Sequence, residues 1–302
     1  MSDNVLLTTD LPLVLASRGK VRDTYDLGER LLIVTTDRLS AFDVILPDGI
    51  PDKGLVLNRL SAFWFGHTRH VLKNHLIDVV DKVELLNEYR PRQDYVFPKY
   101  LIGRSMLVKK AERLPVECVV RGYLSGSAWE EYQKKGTVSS LPMPKGLLES
   151  QQLPEPLFTP TTKADAGHDE PLNFSAMKKL TGDKLAEAMK NKTLAIYLEA
   201  RKYALSKGII IADTKMEFGL VDGELILIDE LLTPDSSRFW DAALYRVGKS
   251  QPSYDKQPVR DWLVASGWNK EPPAPALPAE VIRATTQRYR HAYEVLTDKK
   301  LR

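Results

Sequence analysis

The segment Ala212-Asp213-Thr214-Lys215-Met216-Glu217-Phe218-Gly219, followed by Glu224-Leu225-Ile226-Leu227-Ile228-Asp229-Glu230, constrains this chain more than any other stretch. It reads as a β-hairpin with charge where a hairpin normally carries apolar residues. Side chains alternate along a strand, so Asp213, Lys215 and Glu217 share one face while Thr214, Met216 and Phe218 take the other. Two carboxylates flanking a lysine on a rigid strand suit a divalent cation held together with an anionic ligand. The turn Val221-Asp222-Gly223 permits two registers. A two-residue Asp-Gly loop pairs Val221 with Glu224 and sends Glu217 and Asp229 to opposite faces. A three-residue loop with Gly223 left-handed pairs Leu220 with Glu224 and sets Lys215 opposite Asp229. The three-residue loop is expected, because the other register leaves a carboxylate without a partner. An edge hairpin with a solvated charged face is the alternative. The aliphatic run Leu225 to Ile228, ending in Asp229-Glu230, argues instead for a buried strand whose end faces a cleft.

At 302 residues the chain can bury a full core and form two lobes without disulfides or metal. Its one cysteine, Cys118, lies in the apolar run Val116 to Val120 and reads as a buried structural thiol. With no internal disulfide possible, a reducing, cytoplasmic setting is expected. The 43 Lys and Arg against 40 Asp and Glu leave +3, too small and too dispersed to point to nucleic acid or an anionic membrane. Met1 to Asp10 lacks a signal pattern, and no apolar run approaches membrane-spanning length. The Pro-rich connector and the C-terminal helix suit a dimer as well as a monomer, with the monomer the favoured state.

Residues 1–108 read as a β-rich lobe. Lys20 to Leu27 and Arg30 to Thr36 flank Gly28 as a hairpin. A loop around Asp48 to Gly54 precedes a helix beginning near Leu55 with Trp64 and Phe65, and Ile77 to Leu85 and Ser105 to Lys110 read as strands. Residues 109–302 read as a larger mixed α/β lobe. A strand runs through Val120, a helix covers Ser127 to Lys135, and Thr137 to Asn173 is expected to be irregular. A long helix runs from a cap at Thr181 to a stop at Gly208 and leads into a strand, Ile209 to Ala212. Glu271 to Pro278 is a stiff connector, with a ligand for an SH3-type partner as the less favoured alternative. The run Ala279 to Lys299 is a helix that packs Ile282, Tyr289, Tyr293 and Leu296 on one face.

Four further stretches carry chemistry. In Arg18-Gly19-Lys20-Val21-Arg22, Lys20 and Arg22 share a strand face and Gly19 lets the backbone approach a ligand, which suits a triphosphate; a solvated basic strand is the alternative, and no Walker-type loop is present. Thr36 to Asp43 places charged and hydroxylated residues at a strand end. In Arg121 to Ser127, Arg121 can fork onto a carboxylate or phosphate, and Ser127 opens a helix with free backbone donors. Thr233 to Arg238 sets serines and an arginine in a turn. Each alone reads equally as helix capping. Their recurrence at strand ends points to one shared cleft.

These motifs, taken in order from about Arg18 to Asp241, resemble the phosphoribosylaminoimidazole-succinocarboxamide synthase (SAICAR synthetase) family. Phe158 to Asp169 resembles the version in the longer, single-function members. Arg22 stands where some relatives carry lysine, a cation that holds phosphate differently. The resemblance implies an α+β, two-lobed, ATP-grasp-like fold with a small β-rich N-terminal lobe and a larger C-terminal one. It implies a ligase of de novo purine synthesis that consumes ATP, a carboxylated aminoimidazole ribonucleotide (CAIR) and L-aspartate. For catalysis it implies Lys215, with Asp213 orienting it or assisting proton removal. Glu217 and Asp229 would hold Mg²⁺. ATP would be met by these two and by Arg18, Gly19, Lys20, Val21, Arg22, Met106, Val108 and Lys109, the segment 106–109 edging adenine through its backbone. Substrates would be met by Asp37, Ser40, Asp43, Lys53, Glu117, Arg121, Ser125, Gly126, Ser127, Asp235, Ser236 and Arg238. Lys163, Asp165 and His168 would close over aspartate. A small-molecule kinase of related architecture would use the same metal hairpin, and a non-catalytic nucleotide sensor would bind ATP without turnover. A protein kinase is disfavoured, because neither His-Arg-Asp nor Asp-Phe-Gly occurs.

Overall fold

A computed structural model describes residues 5–163, 170–254 and 256–301. Asp165 and His168 lie outside the described residues. In chain order the elements are β1 (Val14–Arg18), β2 (Arg22–Asp26), β3 (Arg30–Thr35), β4 (Arg38–Ala41), β5 (Val44–Gly49), α1 (Lys53–Thr68), β6 (Leu76–Val79) and β7 (Ser105–Lys109). There follow β8 (Glu112–Tyr123), α2 (Ser127–Lys135), β9 (Thr137–Val138), β10 (Leu141–Pro142), β11 (Gln152–Phe158), β12 (Thr161–Thr162), α3 (Phe174–Thr181) and α4 (Asp183–Ser206). The chain ends with β13 (Ile209–Val221), β14 (Glu224–Ile228), β15 (Ser237–Asp241), α5 (Gln257–Ala265) and α6 (Ala279–Thr297). They form two compact units, one of residues 1–63, 75–110 and 254–302, the other of residues 64–74 and 111–253.

The first unit is built on an antiparallel sheet in the order β1-β2-β3-β7-β6. The expected hairpin about Gly28 is present, with the glycine left-handed at φ +89°. Alternation along β2 sends Asp23 and Tyr25 inward, and Tyr25 joins Leu11, Leu32, Val34, Val80, Leu86, Phe97 and Leu101 in a core. An inward carboxylate needs partners. Asp23 accepts from the Thr9 amide at 3.1 Å, the Thr9 hydroxyl at 2.6 Å and Arg38 Nη2 at 2.7 Å. Burial by itself would raise the Asp23 carboxyl, but the Arg38 guanidinium and Thr9 outweigh it and hold it below the ordinary carboxylate range. Because the folded value lies below the unfolded one, the group's contribution is complete above about pH 4 and is lost as pH falls through the folded value. Asp23→Asn is therefore expected to flatten the acid limb of stability in urea titrations between neutral pH and about pH 3. An unchanged slope would remove Asp23 from the acid response.

Several expectations change in this unit. Lys20 and Val21 belong to the β1–β2 turn, where the Gly19 amide donates to Arg22 O at 2.7 Å, so Lys20 does not continue the strand face of Arg22. The strand expected from Ile77 to Leu85 stops at Val79, and Val83–Tyr89 forms 3₁₀ turns. The C-terminal segment groups here, although it had been expected with the lobe of residues 109–302. The physical reason is a second core. The β4–β5 hairpin exposes Leu39, Ala41, Leu46 and Ile50, and these are covered by Val259 and Leu263 of α5 and by Leu277, with Val281 and Ile282 of α6 at the margin. Tyr289, Tyr293 and Leu296 are buried as the helical spacing predicts.

The second unit holds a six-stranded sheet in the order β11-β8-β13-β14, with β12 also pairing β8 and β15 also pairing β13. The parallel bridge of Asn74 to Leu227 adds the segment 64–74 at β14. Helix α4 contacts β13 and β8, burying Ala186, Met189, Thr193, Ile196, Tyr197, Ala200 and Ala204. Its small residues allow close approach, and Tyr197 Oη donates to Ile211 O at 2.8 Å. Any side chain at Gly122 would collide with that hydroxyl, which explains the glycine near the end of β8. Cys118 is fully buried, and burial pushes its thiol far up, as expected of a structural cysteine. Thr137 to Asn173 is less irregular than expected, since it contains β9 to β12. Prolines at 142, 154 and 156 mask the strand pattern, and β11 tolerates two of them as a bulged edge strand. Thr181 closes α3 instead of capping the long helix, and α3 has its own cap in Asn173, whose side chain accepts from the Ala176 amide at 2.8 Å.

Candidate active site

Strand β13 sits between β8 and β15, and cross-strand register decides which side chains meet. Asp213 is partner both to Arg121 on β8 and to Arg238 on β15; Lys215 is partner to Val119; Glu217 is partner to Glu117. The predicted charged face is therefore real and lies against a second row of charge on β8. Thr214, Met216 and Phe218 are buried on the opposite side.

At one end of this face, Asp213 accepts from Arg238 Nη1 and lies 3.5 Å from Arg121 Nη1. Arg121 Nε also donates to the Thr159 hydroxyl at 3.1 Å. Asp213 thus positions two arginines and does not pair with Lys215, which corrects the orienting role expected for it. Beside Arg238 lies Gly126, where a side chain would collide with the guanidinium; its φ of +56° also favours glycine. Ser127 opens α2, and the buried Ser125 hydroxyl has no protein partner. Two guanidiniums, a helix N-terminus and a hydroxyl without a protein partner are groups of the kind that can hold a phosphate or carboxylate. Ser236, expected to face substrate, instead has its hydroxyl tied to the Thr233 amide at 3.1 Å, while its carbonyl accepts from the Lys215 amide at 3.0 Å. Asp235 lies in the same turn, its amide donating to the Thr233 hydroxyl at 3.2 Å.

At the other end, Glu117 is the hub. Lys163 Nζ lies 2.6 Å from Glu117 Oε1 and 2.7 Å from Glu217 Oε1, and Lys215 Nζ lies 3.1 Å from Glu117 Oε1. Burial favours the neutral Glu117 acid, but the Lys215 and Lys163 ammoniums overcome it and hold the carboxyl low. Burial likewise opposes the Lys215 charge, yet Glu117 keeps that ammonium's affinity for its proton raised. Glu217 behaves oppositely: burial and the neighbouring Asp229 push its carboxyl up to about 7.

The hairpin forms in the register that was not expected. Val221 pairs with Glu224 around a two-residue loop in which Asp222 and Gly223 are both left-handed, as a type I′ turn requires. Strict alternation would then carry Asp229 away from Glu217. Strand β14 ends at Ile228, however, and Asp229 itself adopts φ +66°, which breaks the alternation and leaves its charge acting on Glu217. An aspartate tolerates that backbone better than most side chains.

A cation would relieve both the burial of the Glu217 charge and its repulsion by Asp229, so the two acids fit a divalent ion. Among the described residues no group of three or more His, Cys, Asp or Glu could enclose one. Two protein ligands suit Mg²⁺, which commonly completes its shell with phosphate oxygens and water.

The remaining expected contacts lie in the first unit. Arg18 donates to Thr9 O at 2.8 Å, Lys20 pairs with Asp43 at the tip of the β4–β5 turn, Val21 O accepts from the Thr36 amide, Arg22 begins β2, and Ser40 is half-buried in β4. Lys53 is fully buried at the start of α1, its Nζ 5.8 Å from the Tyr289 ring centroid. Strand β7 is interior, so the backbone of Met106 and Val108 is shared with β3 and β6 and offers no open edge to a base; Lys109 is exposed beyond them. Asp37 is fully buried, accepting from the Gly54 amide at 2.8 Å, the Leu6 amide at 2.8 Å and Arg104 at 2.9 Å. These bonds make it a strut of the unit.

The sequence profile described as SAICAR synthetase matches residues 15–275. This chain belongs to the SAICAR synthetase family. A phosphoribosylaminoimidazole-succinocarboxamide synthase from Pelobacter propionicus is 56% identical over 294 residues, covering 97% of this chain and 97% of the relative. One from Syntrophobacter fumaroxidans is 53% identical over 298 residues, covering 98% and 97%. Among solved structures, the SAICAR synthase from Saccharomyces cerevisiae complexed with SAICAR matches with a TM-score of 0.89 and 45% identity, covering 98% of this chain and 99% of that one. A SAICAR synthetase in complex with ADP matches with a TM-score of 0.67 and 26% identity, covering 94% and 98%. The family's two-lobed α+β fold is therefore the fold of this chain. Of the residues used at the site, Thr159 had not been anticipated: it lies 38 positions from Arg121, and only the pairing of β11 with β8 brings it near.

Proposed function

We propose that this chain is the ATP-dependent ligase that joins L-aspartate to the carboxylate of CAIR through an acyl phosphate, giving SAICAR, ADP and phosphate. What supports this reading is the order of charge along β13, with the acid Glu217, acted on by Asp229, at one end, Asp213 with its partners Arg121 and Arg238 at the other, and Lys215 between them. A carboxylate resists attack by an amine, so it must first be phosphorylated. Mg²⁺ held by Glu217 and Asp229 would neutralise phosphate charge. Lys215, with its ammonium kept protonated by Glu117, stabilises charge on the transferring phosphoryl group. Arg121 and Arg238, fixed by Asp213, hold the nucleotide's anionic groups together with Ser125 and Ser127. The aspartate amine then attacks the acyl carbon, and the C–O bond to phosphate breaks.

A cytoplasmic location belongs to the same reading and is supported by the lone buried thiol. Among the described residues no helix is long and apolar enough to cross a membrane. The test is phosphate release from ATP and Mg²⁺ with CAIR, with and without L-aspartate. Aspartate-dependent phosphate matched one to one by amide product is expected. ADP formed without phosphate would favour a small-molecule kinase instead, a reading that the names of the relatives above do not support.

A further inference from the structure

Glu117 and Glu217 face one another across β8 and β13, on the same side of the sheet, and both are buried. Like charges directly opposite in a sheet repel, and burial sharpens the repulsion because less water screens it. One ammonium spans them: Lys163 Nζ, at 2.6 Å from Glu117 and 2.7 Å from Glu217. The backbone fixes it there, since Thr161 and Thr162 pair with β8 and the Lys163 amide donates to Pro115 O at 3.1 Å. Glu217 thus holds a tethered cation at 2.7 Å and also feels the charge of Asp229. That is the surrounding a divalent ion would meet at the same carboxylate.

Building on the ligase reading, we propose that Lys163 is a built-in occupant of the divalent-cation position: its ammonium holds Glu217 in protein stripped of divalent ions and is released from it when a cation binds Glu217 and Asp229. A single charge leaves the Glu217 carboxylate as a double charge arrives, so the pair remains compensated throughout. The displaced ammonium keeps its bond to Glu117 and can meet phosphate oxygens that arrive with the ion. A tethered cation competes at high effective concentration. The free ion alone therefore binds weakly, and the ion brought by a nucleotide binds well.

The test is Mn²⁺ binding followed by electron paramagnetic resonance on the full chain, wild type and Lys163→Met, with and without ADP. Without ADP, Lys163→Met is expected to bind Mn²⁺ roughly tenfold more tightly than wild type, the scale at which groups around a metal site act. Equal affinities overturn the exchange but leave Glu217 and Asp229 as ligands, whereas no Mn²⁺ bound by wild type even with ADP removes the metal assignment itself. A second measurement needs only folded wild type. The ammonium nitrogen resonance of Lys163, identified by its loss in Lys163→Arg, is expected to shift and lose protection from solvent exchange as Mg²⁺ saturates the protein. A resonance indifferent to saturating Mg²⁺ overturns the proposal.

Discussion

Lys215→Met is expected to lower kcat by about 10²–10³-fold, the range typical of losing one preorganised transition-state donor, while barely moving the unfolding midpoint. The two halves of this expectation rest on different observations. The side chain of Lys215 is 42% exposed, so its truncation opens no sealed cavity. Its partner Glu117 keeps a second ammonium, Lys163, at 2.6 Å and is not left buried and alone. Chemistry is affected because Lys215 is the cation on β13 between the acidic and basic ends of the face. Phosphate-release kinetics give the first half and thermal unfolding the second. A variant that unfolds would mean that this ammonium holds the sheet together, and a variant that turns over normally would remove it from catalysis.

The largest stability effect belongs to a residue first expected to touch substrate. Asp37→Ala should cost about 3–5 kcal/mol, the range for removing one partner of a buried ion pair. Arg104 is 7% exposed and would keep its charge with no carboxylate beside it, and the amides of Leu6 and Gly54 would lose their acceptor. Urea denaturation measures the loss. Normal stability with a raised KM for CAIR would return Asp37 to the role of a substrate contact.

These two residues also show where sequence is legible and where it is not. Lys215 could be placed because alternation along a strand is a local rule, and it assigned Asp213, Lys215 and Glu217 to one face correctly. The strut role of Asp37 is not legible, because an acidic residue at a strand end looks the same whether it meets ligand or Arg104, which is 67 residues away. The hairpin register failed for another reason. The three-residue loop is expected so that no carboxylate is left without a partner, on the assumption that β14 keeps alternating, whereas the left-handed Asp229 breaks the alternation and its charge still acts on Glu217. Helices α2 and α6 follow from caps and spacing, but α5 and α3 are short and flanked by prolines or loops, and α5 packs on the distant β4–β5 hairpin. Strand β11 was hidden by the prolines that mark it as an edge. The hub at Glu117 was the least legible feature, since its lysines come from positions 163 and 215 and only the pairing of three strands assembles them.

Strand β13 is also a ruler. At a rise of about 3.3 Å per residue, the four steps from Asp213 to Glu217 set the anchor for the arginines and the acid for the cation about 13 Å apart. Insertion or deletion of one residue between them would turn one of the two anchors to the helix side, into the company of Met216 and Phe218. Removing two would keep the faces but shorten the gauge by about 7 Å. The number of residues in this interval is therefore constrained more tightly than their identity at the intervening positions. The Asp222-Gly223 tip, by contrast, lies outside the measured interval and can accept added length without changing the gauge.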